Sequence, residues 1–256
     1  MKKIFGVLTL FLISSLSVQS ADMRFVQVDS LSFSKNTKPQ TLKIINDINK
    51  TRNIDFIVFS GNNIAKPDQN NLKELVKITK DIKTPCYFVL GNKDVNKQKH
   101  FGKTEYFNYL QKKVKAHKRI KNPNYVFEKN DIIFIVLDGS KEFIPSSMGY
   151  YKSETLTWLD KQLTNNKDKK VIIIQHFPVI PPSKRESRYT YKAEEYLKVL
   201  ENHNNVKAIF SGHFNVNKEQ ELNNILHVST ADAPKYRIID ILDYETENPI
   251  FWSTIK

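Results

Sequence analysis

Cysteine is almost absent from this chain: Cys86 is the only one in 256 residues. That excludes an internal disulfide, and its distance from the N-terminus excludes a lipid-bearing cysteine at a leader cleavage point. Cys86 lies in a strand-like run, where its role is packing. Long hydrophobic runs are missing as well. The one extended apolar stretch, Ile4 to Val18, falls short of the ~20 residues that a transmembrane helix needs. It follows a basic start, Met1-Lys2-Lys3, and leads through Val18-Gln19-Ser20 to Ala21, where small residues suit a signal peptidase. Residues 1–20 therefore read as a signal peptide, and the mature chain as an exported protein, periplasmic or extracellular, with no transmembrane segment after cleavage. An uncleaved membrane anchor is the alternative. Internal repeats and low-complexity linkers are also missing, so residues 21–256 read as one domain, long enough to bury a sizeable core.

Acidic residues are outnumbered. The formal charge is +13, and +11 once Lys2 and Lys3 leave with the leader. Lysine dominates over arginine, and Asn and Ile are abundant, as an AT-rich genome would produce. Scattered lysines make a solvated surface, with attraction to anionic partners such as cell-wall polymers, lipid headgroups or nucleic acid as the functional alternative. Clustered arginines and any specific nucleic-acid motif are lacking. The densest basic stretch, Lys112-Lys113, Lys115, Lys118-Arg119 and Lys121, reads as the wet side of one helix.

What is present is a set of short apolar runs with a turn at each end. Ile54 to Phe59, Cys86 to Leu90 and Val206 to Phe210 are strand-like, and Gly61-Asn62, Gly91-Asn92 and Gly212-His213 follow them. Val171 to Gln175 ends in His176-Phe177-Pro178. Glycine permits a sharp turn where a strand stops, and ligands of open α/β sheets gather beyond the carboxyl ends of strands. Asn and His delivered to one rim make a candidate site.

Helical patterns separate the strands. Leu42, Ile45 and Ile48 share one side of the first. Asp68 caps a second, carrying Leu72, Leu75, Val76 and Ile82. A third covers about 103–118 with Tyr106, Phe107, Leu110 and Val114. Ser153 caps a fourth, with Leu156, Trp158, Leu159 and Leu163, and a fifth near 191–203 uses Tyr196, Leu197 and Leu200. Lys129-Asn130-Asp131 joins two extended runs as a hairpin. The tail is strand-rich, over Ile225 to Ser229, Arg237 to Leu242 and Ile250 to Thr254. Alternating β and α followed by a β-rich close predicts an α/β fold with two packed sheets flanked by helices.

In order, the strand ends read Val28-Asp29-Ser30-Leu31-Ser32, Ser60-Gly61-Asn62-Asn63, Leu90-Gly91-Asn92-Lys93-Asp94, Gln175-His176-Phe177-Pro178 and Ser211-Gly212-His213-Phe214-Asn215. This series resembles the calcineurin-like metallophosphoesterase superfamily. The helix with Trp158 and the segment His227-Val228-Ser229-Thr230 look like its secreted branch. The resemblance covers nearly the whole mature chain and implies a four-layer α/β/β/α sandwich of two mixed sheets. It also implies metal-dependent phosphoester hydrolysis by two divalent ions ~3.5–4 Å apart.

Carried over position by position, the ligands of one ion become Ser30, Ser32, Asn62 and Asn215, none of them strong for a transition metal. Those of the other become Asn62, Asn92, His176 and His213. Lys93 stands at the catalytic histidine's position. Two dications lose the aspartates that neutralise them, and an ammonium adds repulsion of roughly 4 kcal/mol per unit-charge pair at ~4 Å and an effective dielectric near ~20. The expectation is no dinuclear centre, and either no metal or one divalent ion (Zn, Mn or Fe) on Asn92, His176 and His213. Asp29, one position before the expected aspartate, is a rescue ligand only if a bulge re-aims it, because alternation turns it away from the rim. No Gly-x-Ser-x-Gly elbow makes Ser30 or Ser32 a nucleophile. Asp94 pairs with Lys93 or makes a structural hydrogen bond. His100, His117 and His203 read as surface residues and His227 as an ordinary strand residue.

Three functional readings follow. The first is a pseudoenzyme, noncatalytic or impaired, whose old cleft binds a phosphate-containing molecule, another anion or a partner. The second is an active hydrolase using one metal, with Lys93 stabilising developing charge. The third is an exported, basic surface-interaction protein in which the cleft is irrelevant. The loop Pro181 to Arg188 borders the cleft.

Overall fold

A computed structural model describes residues 22–243 and 245–256. The signal-peptide reading of residues 1–20 lies outside them. Among the described residues no helix is long and apolar enough to cross a membrane. In chain order the strands and α-helices are β1 (Met23–Val28), α1 (Lys38–Lys50), β2 (Phe56–Ser60), α2 (Gln69–Thr79), β3 (Cys86–Val89), α3 (Lys103–Lys113), β4 (Tyr125–Lys129), β5 (Ile132–Leu137), β6 (Gly149–Tyr150), α4 (Ser153–Asn165), β7 (Lys170–Gln175), β8 (Thr190–Tyr191), α5 (Ala193–Glu201), β9 (Val206–Ser211), β10 (Lys218–Leu222), β11 (Ile225–Ser229), β12 (Arg237–Leu242) and β13 (Ile250–Ile255).

The strands form a five-stranded sheet, β13-β12-β1-β2-β3, a six-stranded sheet, β10-β11-β9-β7-β5-β4, and a small β6-β8 ribbon. β1, β2 and β3 run parallel, as do β5, β7, β9 and β11; the antiparallel strands lie at and toward the edges. The sheets pack through aromatic rings: Phe25 of the first sheet lies 5.2 Å from Phe210 and 6.0 Å from Phe134 of the second, and Phe56 lies 4.9 Å from Phe134. Such rigid, purely apolar rings bury large areas without polar atoms to satisfy. Ile44, Ile45 and Ile48 of α1 and Leu72 and Leu75 of α2 join this core, while Leu156, Leu159, Leu163, Tyr196 and Leu200 seal α4 and α5 onto the second sheet. The result is two mixed sheets flanked by helices, as the strand and helix pattern predicts.

Local signals explain most element ends. Asp68 accepts from the amides of Asn70 (2.7 Å) and Asn71 (3.2 Å), capping α2 as expected. Asn130 and Asp131 both have positive φ, 47° and 57°, the two-residue hairpin turn that suits strand twist. Asn223 and Asn224 repeat this at 53° and 60°, and they create β10, whose polar residues carry no strand signal. β10 is an exposed edge strand, so nothing apolar marks it.

Four expectations need correction. Leu42 is exposed and Ile44 takes its place in the core. Ser153 is the first helical residue and makes no capping bond. The third helix stops at Lys113 because Val114 is extended, and a 3₁₀ turn follows at residues 115–117. That break turns His117 inward, against its surface reading. It is fully buried beneath the edge of the first sheet, and its Nε2 accepts the Phe88 amide at 3.0 Å. His203 is only half-buried, with Nε2 2.8 Å from Asp160.

Burial pushes His117 down to about 3, so it stays neutral in the fold, whereas an unfolded chain protonates it near 6.5. Its contribution to stability is therefore whole above pH ~6.5 and lost as pH falls toward ~3. Buried His213 and His227 act in the same sense, so a variant is needed to isolate His117. The denaturant midpoint should fall between about pH 7 and about pH 4.5, and fall less in His117→Gln. Equal falls would contradict this assignment.

Candidate functional site

The parallel strands of both sheets end at one rim. β1 stops at Val28, and Ser30 (φ +47°) and Ser32 (φ +48°) lie in the left-handed region. The Ser30 amide donates to Gly61 O at 3.0 Å and the Ser32 amide to Asn62 O at 2.8 Å. Asn62 (+51°), His213 (+71°) and Asn215 (+54°) share that unusual conformation. Such backbone costs energy in non-glycine residues and concentrates at functional sites. Five of the positions that carry ligands in the resemblance thus keep a strained cradle.

Strict alternation fails for Asp29, because the chain has left the strand and bridges Asp232 instead. The carboxylate turns into the space between the two sheets and is fully buried. It accepts four hydrogen bonds: from Ser30 Oγ (2.8 Å), Ser60 Oγ (2.9 Å), His176 Nδ1 (3.2 Å) and the His213 amide (3.0 Å). Two glycines make this possible. A Cβ at Gly212 would lie 1.9 Å from Asp29 Cγ, and at Gly61, with φ +103°, it would lie 2.5 Å from His176 Nδ1. Asp29 therefore holds His176 from behind, at the nitrogen away from His213, and is an orienting group.

The two imidazoles face one another, with His176 Nε2 3.2 Å from His213 Nδ1. His213 Nε2 lies 2.7 Å from Ser147 O, and His176 Nδ1 2.8 Å from Ser60 O. Carbonyls only accept, so His213 is protonated at Nε2 and His176 at Nδ1. The nitrogens that face one another, His176 Nε2 and His213 Nδ1, are then the two that no carbonyl engages. Burial alone would lower His176, yet Asp29 and the Ser60 carbonyl leave it raised. His213 is pushed down to about 2 by burial, then by the His176 charge, with Arg188 and Lys93 adding.

The remaining candidate residues divide into two groups. Asn62 Oδ1 accepts the Lys93 amide at 2.9 Å, and Asn215 Oδ1 accepts the Asp232 amide at 3.1 Å. With Ser30 bonded to Asp29, three of the positions that the resemblance assigns to one ion are neutral and engaged internally. Ser32 is half-buried and its carbonyl accepts from Thr37. Asn92 differs: its Oδ1 is buried and has no partner among the described residues. Lys93 is exposed at the rim. Asp94 is a brace, not a partner of the Lys93 side chain: it accepts the Gly91 amide at 2.8 Å and the Ile64 amide at 3.0 Å, while burial raises it to about 6.

Of the positions that the resemblance assigns to one ion, Ser30, Asn62 and Asn215 present neutral side chains already engaged in hydrogen bonds. Among the described residues no three His, Cys, Asp or Glu side chains group to hold a metal. The positions carried over for the other ion keep two facing imidazole nitrogens, donors of a kind suited to a borderline ion, and Asn92, whose Oδ1 has no partner among the described residues.

Several rim residues went unrecognised in the sequence. Asp232 follows β11, and Ser30, Asp29 and Arg188 all bear on its carboxyl, which burial raises. A strand-end position was its signal. Ser147 carries none. Arg185 donates to Phe214 O at 3.3 Å and Arg188 to His213 O, so the loop after Pro181 does border the rim.

Removing the Asp29 charge should cost roughly 3–5 kcal/mol, the typical cost of breaking a buried pair. Asp29→Asn should show it in denaturant melts at neutral pH. In chelator-treated wild type, ¹⁵N imidazole shifts should report protons on His176 Nδ1 and His213 Nε2; a proton missing from either nitrogen would contradict the assignment.

The calcineurin-like phosphoesterase family model matches residues 35–217, beginning just after the Asp29–Ser32 segment. A search of curated proteins returns no match. Among solved structures, a dimetal phosphatase from Danio rerio is similar at TM-score 0.66 and 14% identity, covering 86% of this chain and 95% of that one. GAP50, the anchor in the inner membrane complex of Plasmodium, is similar at 0.62 and 17%, covering 92% and 88%. TT1561 of Thermus thermophilus is similar at 0.60 and 15%, covering 91% and 99%. At these identities the likeness concerns the fold. With the family match over most of its length, this chain belongs to the calcineurin-like phosphoesterases.

Proposed function

We propose that this chain is an impaired or noncatalytic calcineurin-like phosphoesterase whose rim binds an anionic group. One observation carries the reading: the donors that would hold one ion of the pair are neutral and turned to internal hydrogen bonds, at Ser30, Asn62 and Asn215. Two-ion hydrolysis needs negative charge between the ions and an ion-bound hydroxide, and the side chains at these three positions provide none. Lys93 instead brings an exposed ammonium, close enough with Arg188 to depress His213. A compact point charge beside amide donors suits a phosphate or carboxylate. The description of GAP50 as an anchor is compatible with a binding role for this fold. Export, with a mature N-terminus at Ala21, belongs to the same proposal, and N-terminal sequencing of the secreted protein tests it.

A second reading rests on Asn92. Its unpartnered oxygen and the facing nitrogens of His176 and His213 would hold one borderline ion, which would polarise a bound phosphoryl oxygen. Under this reading Asp29 orients His176 and Lys93 neutralises charge on the substrate. Zinc or manganese exposure followed by desalting separates the readings: under about a tenth of an equivalent retained argues against the second.

Purified protein free of contaminating phosphatase should not hydrolyse p-nitrophenyl phosphate with added metal, and Lys93→Ala should weaken inorganic phosphate binding about tenfold. Metal-dependent turnover near the usual enzymatic range, above about 1 s⁻¹, would overturn the proposal. Installing Ser30→Asp, Ser32→His, Asn62→Asp, Lys93→His and Asn215→His, with Asp29→Ser to clear the competing carboxylate, should restore two bound ions and measurable hydrolysis. A folded variant that binds no metal would contradict the assignment of ligand positions.

A further inference from the structure

The basic stretch around residues 112–121 has no role at the rim. In the fold it meets a second group of lysines from a distant part of the chain. α2 ends at Thr79 and α3 at Lys113, and between these ends and the start of β3 lies a hollow of ≈ 500 Å³. β3 is an edge strand of its sheet, so no further strand closes this side. Val76, Ile82, Tyr87 and Val114 contribute apolar surface, and Lys80, Lys83, Lys113 and Lys115 stand around it. All four lysines are exposed. None of them makes an ion pair or side-chain hydrogen bond with a described residue, although lysines elsewhere, such as Lys97, Lys103 and Lys169, do form ion pairs. No acidic residue contributes to the lining.

We infer that this hollow is a binding site for a small amphiphilic anion, an apolar chain or ring that carries a carboxylate or phosphate. Lysine near a helix C-terminus is ordinary, because it complements the helix dipole. That accounts for single lysines at each end, but not for their convergence on a concave apolar floor. Volume selects the class: ≈ 500 Å³ lies within the range of small-molecule sites. An extended polymer would need a longer track than two helix ends and one strand start. The apolar floor would bury the body of the ligand, and the ammonium groups would meet its head as point charges. Cys86 lies in the lining with its thiol pushed up to about 12 by burial, so it presents a small apolar surface there. The site sits at the amino end of β3, whereas the rim lies beyond its carboxyl end, so this inference stands apart from the proposed rim function.

Dodecanoate and dodecyl phosphate, below their micelle concentrations, are the probes, with dodecanol as the uncharged control. Titration calorimetry and amide shift mapping should show one saturable molecule of either anion, with shifts confined to residues about 76–87 and 113–116. Dodecanol should bind at least about tenfold more weakly. Lys83→Glu/Lys113→Glu should weaken the anions by about tenfold or more, and Val114→Glu should do the same through the floor; both change exposed or half-buried positions, and unchanged thermal midpoints verify folding. A preference between the two probes identifies the headgroup. Absence of saturable binding by both anions would overturn the site, as would equal binding by the charge-reversed variant or shifts that map to the rim. Binding only of a polyanion such as polyglutamate, unaffected by Val114→Glu, would overturn it too and assign the lysines to a polymer surface.

Discussion

One carboxylate joins the two halves of this molecule where the family keeps its chemistry. Asp29 stands at the end of β1 in the first sheet, yet two of its four donors, His176 and the His213 amide, come from the second. With no exposure to water, it depends on those donors for the solvation it has lost. The glycine at 212 exists in service of this contact, since any side chain would overlap the acid. The direction of His176 follows from it, and the position of His213 follows from His176. The arrangement of the rim is a consequence of where this acid turns.

That arrangement separates what the fold requires from what the chemistry requires. The left-handed backbone at Ser30, Ser32, Asn62, His213 and Asn215 preserves the shape of an ion-binding cradle. On that backbone the Ser30 hydroxyl bonds Asp29, and Asn62 and Asn215 accept the backbone amides of Lys93 and Asp232. Ser30, Asn62 and Asn215 each have a protein partner, whereas Asn92 Oδ1 and one Asp232 oxygen are buried with none among the described residues.

Much of this was legible in the sequence, for physical reasons. Strand ends announce themselves when short β-branched runs stop at glycine, and the order of Asn and His after those runs placed the rim residues together. The inter-sheet core followed from the same runs. What was hidden depended on single dihedrals or on distant contacts. Alternation assigned Asp29 away from the rim, and a strand exit with positive φ at Ser30 turned it between the sheets. Helical spacing ran on through Val114 to Lys118, but one extended residue, Val114 itself, reset the phase and buried His117. The polar edge strand β10 and the rim residue Asp232 carry no periodic signal. The meeting of Lys80 and Lys83 with Lys113 and Lys115 depends on the packing of two helix ends.

The most direct test of this account is anomalous diffraction from crystals of the unaltered protein grown with excess zinc or manganese. At most one ion should appear, between His176 and His213 and near Asn92, with Asp29 still bonded to His176 and no density against Ser30, Ser32 or Asn215. Two anomalous peaks ~3.5–4 Å apart at the rim would contradict it.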